Sequence, residues 1–416
     1  MAAGRGAAVE TIAACRSCGA STLEPALDLG ESPIADRLQD CGERPEHAPR
    51  VPLEVVLCTA CGLAQLRHTV PREALFDDRY PYLSSSSPTL LAHAHALARS
   101  LVERRSLGPD SFVVELASND GYLLRCFADL KLRALGVDPA GEPVRRARDA
   151  GLQTLQAFFD SASAQSILSE HGPADVIVAN NVLAHVADVN DVVHGMQRLL
   201  AANGVISVEV PYLADMMERC EFDTIYHQHL CYFSVSALDA LFRRHGLGIT
   251  SIRRLDIHGG SLRLEVERGR HSDGSVESLM ESERTAGLGT SAAFEGFAER
   301  VRRVRDQLRA LLEGIARRGG RVAGYAASAK GTTLLSYCGI DASTLEFVVD
   351  RNRFKHGQRM PGAGIPIEPV TLLVERQPDY ALLLAWNFAG EILAQQAEYR
   401  RRGGRFIVPV PRPAIV

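Results

Sequence analysis

Residues 112–121, Phe-Val-Val-Glu-Leu-Ala-Ser-Asn-Asp-Gly, decide the fold. FVVEL (112–116) is a short, nearly all-apolar run, as expected of a strand covered on both faces. A polar turn follows, and then the helix-like YLLRCFADL. The rhythm repeats at ALGVD (134–138), TLQAF (154–158), DVIVAN (175–180) and GVISVEVP (204–211), with helical stretches between. Alternation of this kind predicts a doubly wound parallel sheet. Two later runs, ITSIRRLD (249–256) and SLRLEVERG (261–269), are parted by His258-Gly-Gly260 and predict a closing antiparallel pair. Seven strands ending in a hairpin suit a Rossmann-like methyltransferase sheet better than a dehydrogenase sheet.

The first turn supports that choice. A dinucleotide site needs G-x-G-x-x-G here, so that a pyrophosphate can approach the helix N-terminus. This turn carries Glu115, Asn119 and Asp120 instead. Such side chains oppose a diphosphate but suit a cationic sulfonium, which points to S-adenosylmethionine. Its amino-acid part would lie over Glu115, Ser118, Asn119, Gly121 and Tyr122. Asp138, closing the second strand, is placed for the ribose hydroxyls, or else it caps the turn into Pro139. Phe158 and Phe159 would line the adenine, unless Phe158 is core, and Asn180 and Asn181 would reach the methionyl ammonium. Strand C-termini are where such sheets bind ligands.

Composition bounds the rest. The chain has 416 residues, 46 basic against 50 acidic, with a formal net charge of -4. That length suggests two or three domains. The near-neutral balance argues against a coat for nucleic acid or an acidic membrane. No apolar run approaches the roughly 18–20 residues of a membrane span, and the N-terminus lacks a secretory apolar core. The expectation is a cytoplasmic protein with no membrane or nucleic-acid partner, a monomer or small homo-oligomer.

Nine cysteines in such a chain are not expected to form disulfides. Four stand as Cys15-Arg-Ser-Cys18 and Cys58-Thr-Ala-Cys61, two knuckles that bring four thiolates to one tetrahedral zinc. All-sulfur ligation leaves no position for water, so the zinc would be structural. The other five cysteines lack partner spacing and are expected in the core.

After the fifth strand comes Glu221-Phe-Asp-Thr-Ile-Tyr-His-Gln-His229. A helix signal restarts only near Ser234–Ser236, so these histidines lie on a loop. Tyr226, His227 and His229 supply general-base candidates near neutral pH, and His185 in NNVLAHVAD would face the same cleft. Metal ligation lacks an assignable third ligand.

With Cys15/Cys18/Cys58/Cys61, DDRYPYLSS, VVELASNDGYLL, NNVLAHVAD, FDTIYHQH, HGGSLR and GYAASAKGTTLLSYCG in view, the chain resembles the sugar C-methyltransferases of deoxysugar and antibiotic biosynthesis. The resemblance spans nearly the whole length. It implies a zinc-binding module (1–75), an S-adenosylmethionine domain (76–272) and a smaller C-terminal Rossmann-like domain (273–416) holding a nucleotide-linked 4-keto sugar. It makes His229 the base, with Tyr226, Tyr80, His185 and Gln228 in the catalytic pocket. The family usually has Glu where Gln228 stands, which predicts a less basic histidine beside it. Methylation is expected on a ring carbon next to the ketone of a thymidine-diphosphate sugar, at C-3.

In the C-terminal third, the turn Gly324–Thr333 follows a strand and opens a helix. Its backbone amides, Ser328, Lys330 and Thr332 suit a phosphate. Lys355 and His356 are a second anion candidate. Trp386 and Asn387 would contact base or sugar, or else the Trp is packed. Tyr82, His227 and His258 complete the expected acceptor contacts. The rival readings are an O- or N-methyltransferase of another small metabolite, a non-catalytic binding module, and a nicotinamide oxidoreductase using the C-terminal domain.

Overall fold

The computed structural model of the chain describes residues 9–76, 83–269 and 272–416, without the side chains of Ser86 and His258. Its centre is a seven-stranded sheet. From one edge the order is Leu247–Leu255, Ser261–Arg268, Leu200–Pro211, Ala174–Asn180, Phe112–Leu116, Arg133–Asp138 and Thr154–Gln156. Six strands run parallel, and Ser261–Arg268 runs antiparallel between its two neighbours. The strand order reverses between Phe112–Leu116 and Ala174–Asn180, and a crevice opens outside the C-terminal ends of strands at such a point.

Helices cover both faces, which is why all five residues of Phe112–Leu116 are buried. Pro88–Arg105 starts at Ser87, whose hydroxyl accepts from the amide of Leu90, and buries Leu90, Ala94, Leu97, Ala98 and Leu101. Ser161–His171 starts with a reciprocal capping box between Asp160 and Ser163. The third strand stops at Gln156, two residues short of the expected 158. Phe158 is thereby released into the loop. The fifth strand begins earlier than expected, at Leu200.

The amphipathic stretch expected over 276–318 is two helices, Ser275–Thr285 and Ser291–Arg317. Gly287 and Gly289, both at positive φ, break it, a conformation that side chains with a Cβ resist. The longer helix buries Phe294, Phe297, Val301, Val304, Leu308, Leu312 and Ile315 at three- and four-residue spacing. Beyond it lies a six-stranded sheet ordered Ile367–Pro369, Val348–Asp350, Val322–Tyr325, Tyr380–Leu383, Arg405–Val408 and Ala414–Ile415, parallel except for the last pair.

The N-terminal sheet is ordered Cys231–Tyr232, Ala64–Leu66, Arg50–Cys58 and Leu23–Pro33. Its edge strand is contributed by residues just after His229, through pairing of Cys231 with Gln65 and Tyr232 with Ala64. Gln39–Asp40 also pairs with Gln358–Arg359 of the C-terminal third. Backbone pairing thus ties the N-terminal segment to both other parts. No helix among the described residues is long and apolar enough to cross a membrane.

Candidate active site and metal centre

The two C-x-x-C turns close in the same way. The amides of Gly19 and Gly62 donate to the carbonyls of Cys15 (2.9 Å) and Cys58 (2.8 Å), both glycines at φ +74°. Cys15 Sγ lies 3.7 Å from Cys61 Sγ and Cys18 Sγ 3.6 Å from Cys58 Sγ, with all four sulfurs within 4.8 Å of one another. Tetrahedral zinc with Zn–S bonds near 2.3 Å requires sulfurs about 3.8 Å apart. The four cysteines fit that ion. Gln65 Nε2 approaches Cys15 Sγ at 3.2 Å and the Ser17 amide at 3.4 Å, outer contacts that orient a thiolate. Cys126, Cys220, Cys231 and Cys338 are buried as expected, but Cys41 is exposed, a correction: its turn lies on the surface, where the thiol donates to the Gly357 carbonyl.

A cavity of about 740 Å³ begins at the sheet crevice and continues to the C-terminal third. At the crevice end Asn119, Tyr122, Asp138, Phe158, Phe159, Asn180 and Asn181 form its wall. Asp138 Oδ2 accepts from the Asn119 amide and Oδ1 from the Ala140 amide, each at 2.9 Å. It therefore caps the turn and faces the cavity at once. Burial raises its pKa, which those two amides partly offset. Asn119 takes φ +50° and accepts from the Ser84 amide at 2.9 Å. Phe158 carries the Arg72 guanidinium 4.1 Å over its ring, and Asn180 Oδ1 is buried without a hydrogen-bond partner among the described residues.

Three expected cofactor contacts are off that wall. Glu115 is buried, and its desolvation, reinforced by Asp138, pushes its pKa well up. Ser118 is fully buried where a Cβ on Gly136 would lie 2.4 Å from its hydroxyl. Gly121, at φ +79°, has Leu152 Cδ1 2.3 Å from where a Cβ would be. These residues shape the loop from beneath. Glu115 lies within the strand and Ser118 packs beneath the loop, while Asn119 and Tyr122 reach the cavity.

Farther along stand Tyr226 and His229. His229 Nδ1 lies 2.7 Å from the carbonyl of Thr224, and a carbonyl only accepts, so that nitrogen carries the proton. Nε2 thereby keeps a lone pair, with the Tyr226 hydroxyl 2.9 Å away. His185 packs edge-on against His229 at 4.7 Å between centroids. Burial drives the His185 pKa down to about 4, so the ring is neutral. Gln228 faces the cavity and donates through Nε2 to Asp36 Oδ2 at 3.3 Å. Burial raises the Asp36 pKa, and Lys355 draws it back. Tyr80 and Tyr82 lie outside the described residues, as does the side chain of His258.

On the acceptor side Ser328, Lys330, Lys355 and Asn387 line the same cavity. Four expected contacts do not. His227 is fully buried with Nε2 3.1 Å from the Val51 carbonyl, and burial lowers its pKa to about 4. Thr332 donates to the Ala35 carbonyl at 3.2 Å, His356 is held to the Asp350 carbonyl at 2.8 Å, and Trp386 Nε1 donates to Asp223 Oδ2 at 2.6 Å.

The Gly324–Thr333 turn joins the strand Val322–Tyr325 to the helix Ala329–Cys338. Ser328 already caps the helix by accepting from the Gly331 amide, and Lys330 sits within the field of Glu221 and Asp223. Glu221, Asp36 and the Thr224 carbonyl escaped sequence reading. Glu221 adjoins the histidine string and offered a signal, whereas a backbone carbonyl offers none.

Family models match a putative zinc-binding domain over residues 15–76, a methyltransferase domain over 90–252 and a C-methyltransferase C-terminal domain over 256–411. C-methyltransferase NovU of Streptomyces niveus is 36% identical over 411 residues, 98% of each chain. Among solved structures, magnesium protoporphyrin IX methyltransferase of Synechocystis with bound S-adenosylmethionine shares 14% identity, covering 43% of this chain and 79% of its own, at TM-score 0.33. CcbJ methyltransferase of Streptomyces caelestis shares 14% over 42% of this chain and 90% of its own, at TM-score 0.35. With one relative matched along its whole length and three family models in sequence, the chain belongs to the S-adenosylmethionine-dependent C-methyltransferases that carry a zinc-binding N-terminal module.

Proposed function

We propose that the enzyme methylates a ring carbon next to the ketone of a nucleotide-linked 4-keto-deoxyhexose, C-3 of a thymidine-diphosphate sugar, in the making of an antibiotic sugar. The observation that carries this reading is the continuous cavity. It joins the sheet crevice to the Tyr226–His229 pair and to the C-terminal third, so two ligands can meet at one imidazole. NovU, the relative matched along its whole length, is named a C-methyltransferase.

A ring carbon is a poor nucleophile until the proton next to its carbonyl is removed. The Thr224 carbonyl fixes the His229 tautomer, so Nε2 is the atom that accepts that proton. Charge moves to the ketone oxygen; the Tyr226 hydroxyl, which donates to Nε2 before the base is protonated, would turn to that oxygen as Nε2 takes up the proton. The neutral His185 ring and the aromatic wall keep the base dry, and water exclusion strengthens each of these interactions. S-adenosylmethionine, when bound, supplies a methyl group activated by a sulfonium. Asp138, Phe158, Phe159, Asn180 and Asn181 would hold it. His229 then releases its proton to solvent. A second cavity shares Asp36 and Gln228 with the first and is lined by Arg37, Arg44 and Arg146 together with Asp40, Glu43 and Glu142, the last paired with Arg146 at 2.7 Å. Its arginines suit the diphosphate of the handle.

Incubation with methyl-labelled S-adenosylmethionine and a panel of thymidine-diphosphate 4-keto sugars tests the reading. Carbon NMR of the product should show label on a ring carbon. Label on oxygen or nitrogen would replace this reading with heteroatom methylation.

A further inference from the structure

Behind the Tyr226–His229 pair lies a cluster that the methylation chemistry does not use. Glu221 is 3% exposed, lines the cavity, and has one carboxyl oxygen, Oε1, without a hydrogen-bond partner among the described residues. Its backbone is fixed by the amide's bond to the Met216 carbonyl at 2.8 Å and by Thr224 Oγ1, which donates to its carbonyl at 2.7 Å. Both carboxyl oxygens lie close to Gly259, where a Cβ would sit 2.3 Å from Oε2 and 2.6 Å from Oε1. Lys330, in the first turn of Ala329–Cys338, reaches the same cavity with Nζ buried and without a hydrogen-bond partner among the described residues. Trp386 supports it, with Nζ 4.7 Å over the ring centroid, and is itself held by Asp223.

The ammonium lowers the proton affinity of both Glu221 and Asp223, so it lies within their field. Among the described residues, however, no carboxylate oxygen comes within 4.0 Å of Lys330 Nζ. A donor and an acceptor thus face one cavity, too far apart to bond each other. Buried polar groups are rarely left unmatched. A phosphate there would face two acidic side chains, Glu221 and Asp223, against one ammonium, and an amine would meet that ammonium. An apolar group would leave all of them unpaired. A hydroxyl accepts and donates at once.

We propose that Glu221 and Lys330 form a specificity subsite for one ring hydroxyl of the acceptor, which accepts from Nζ and donates to Oε1. This rests on the reading of the acceptor as a 4-keto sugar. The test uses thymidine-diphosphate-4-keto-6-deoxyglucose and counterparts lacking the C-2 or the C-3 hydroxyl, with kcat/KM measured for the wild type, Glu221→Gln and Lys330→Met. The wild type should disfavour one deoxy counterpart by about 100-fold or more, since a site built around a hydroxyl rejects an analogue lacking it. In both variants that ratio should fall below about 10, because activity on the hydroxylated sugar drops toward that on the deoxy sugar. Unchanged S-adenosylmethionine affinity reports an intact fold, and Lys330→Arg should restore part of the ratio.

A wild type that treats all three sugars alike overturns the subsite while leaving the keto-sugar reading standing. So do variants that lower every sugar by the same factor, the mark of a structural role or of a water filling the gap. A wild type that methylates none of the sugars overturns the keto-sugar reading and the subsite with it.

Discussion

Gln228→Glu places a second carboxylate against Asp36. The present contact is a donated hydrogen bond, Gln228 Nε2 to Asp36 Oδ2 at 3.3 Å, in a place where burial already raises the Asp36 pKa. Two unit charges at about that distance repel by roughly 5 kcal/mol at an effective dielectric near 20. One pKa unit corresponds to about 1.4 kcal/mol, so the pair holds a single proton through the neutral range. At low pH the variant therefore carries no more charge than the wild type. As pH rises and the shared proton leaves, an extra negative charge appears one residue from His229. A nearby anion favours imidazolium, so the base grows more basic as that step is crossed. The assay is kcat/KM against pH for both proteins. The expected result is one additional ionisation in the variant, which Asp36→Asn in the same background removes. Superimposable profiles for the wild type and Gln228→Glu would refute the reasoning.

Other outcomes follow from the same geometry. Loss of zinc by chelation, or Cys58→Ser, should lower Tm and also kcat, because the Leu66 amide donates to Leu230 at 2.9 Å and Val51 receives His227 beside the base. Differential scanning calorimetry and turnover of the same samples check it. Burial lifts the Glu221 carboxyl to about 8, so the folded state holds a proton that the unfolded chain loses from about pH 4.5 upward. This contribution is fully present below pH 4.5 and fades as pH climbs to about 8. Tm of Glu221→Gln relative to the wild type should accordingly rise across that window. Gly136→Ala drives a methyl into Ser118 Oγ at 2.4 Å and Leu124 Cδ2 at 2.9 Å, an overpacking cost of about 1–3 kcal/mol, read as weaker S-adenosylmethionine binding by calorimetry.

Much of this was legible in the sequence because it rests on period and spacing. The strand FVVEL lies where its apolar run predicts, the C-x-x-C pairs converge, and the two carboxylate and amide positions at strand ends, Asp138 and Asn180, reach the crevice. The misses share a cause. In a turn, neighbouring side chains point to opposite sides, and spacing does not say which. Ser118 is buried while its neighbour Asn119 reaches the cavity, and His227 turns to Val51 while His229 keeps the cavity. Tertiary partners were also invisible. Trp386 was spoken for by Asp223 and Thr332 by Ala35, residues far away in the chain.

Hydrogen exchange at the acceptor's ring carbon is the sharpest probe of the base. The keto sugar is incubated in deuterium oxide with enzyme and S-adenosylhomocysteine, so that no methyl can transfer, and the signal of the proton beside the ketone is followed by NMR. The wild type should wash deuterium into that position, and His229→Asn should slow it by about 100-fold or more. Exchange at the wild-type rate in His229→Asn would contradict the account, because some other group would then be removing the proton.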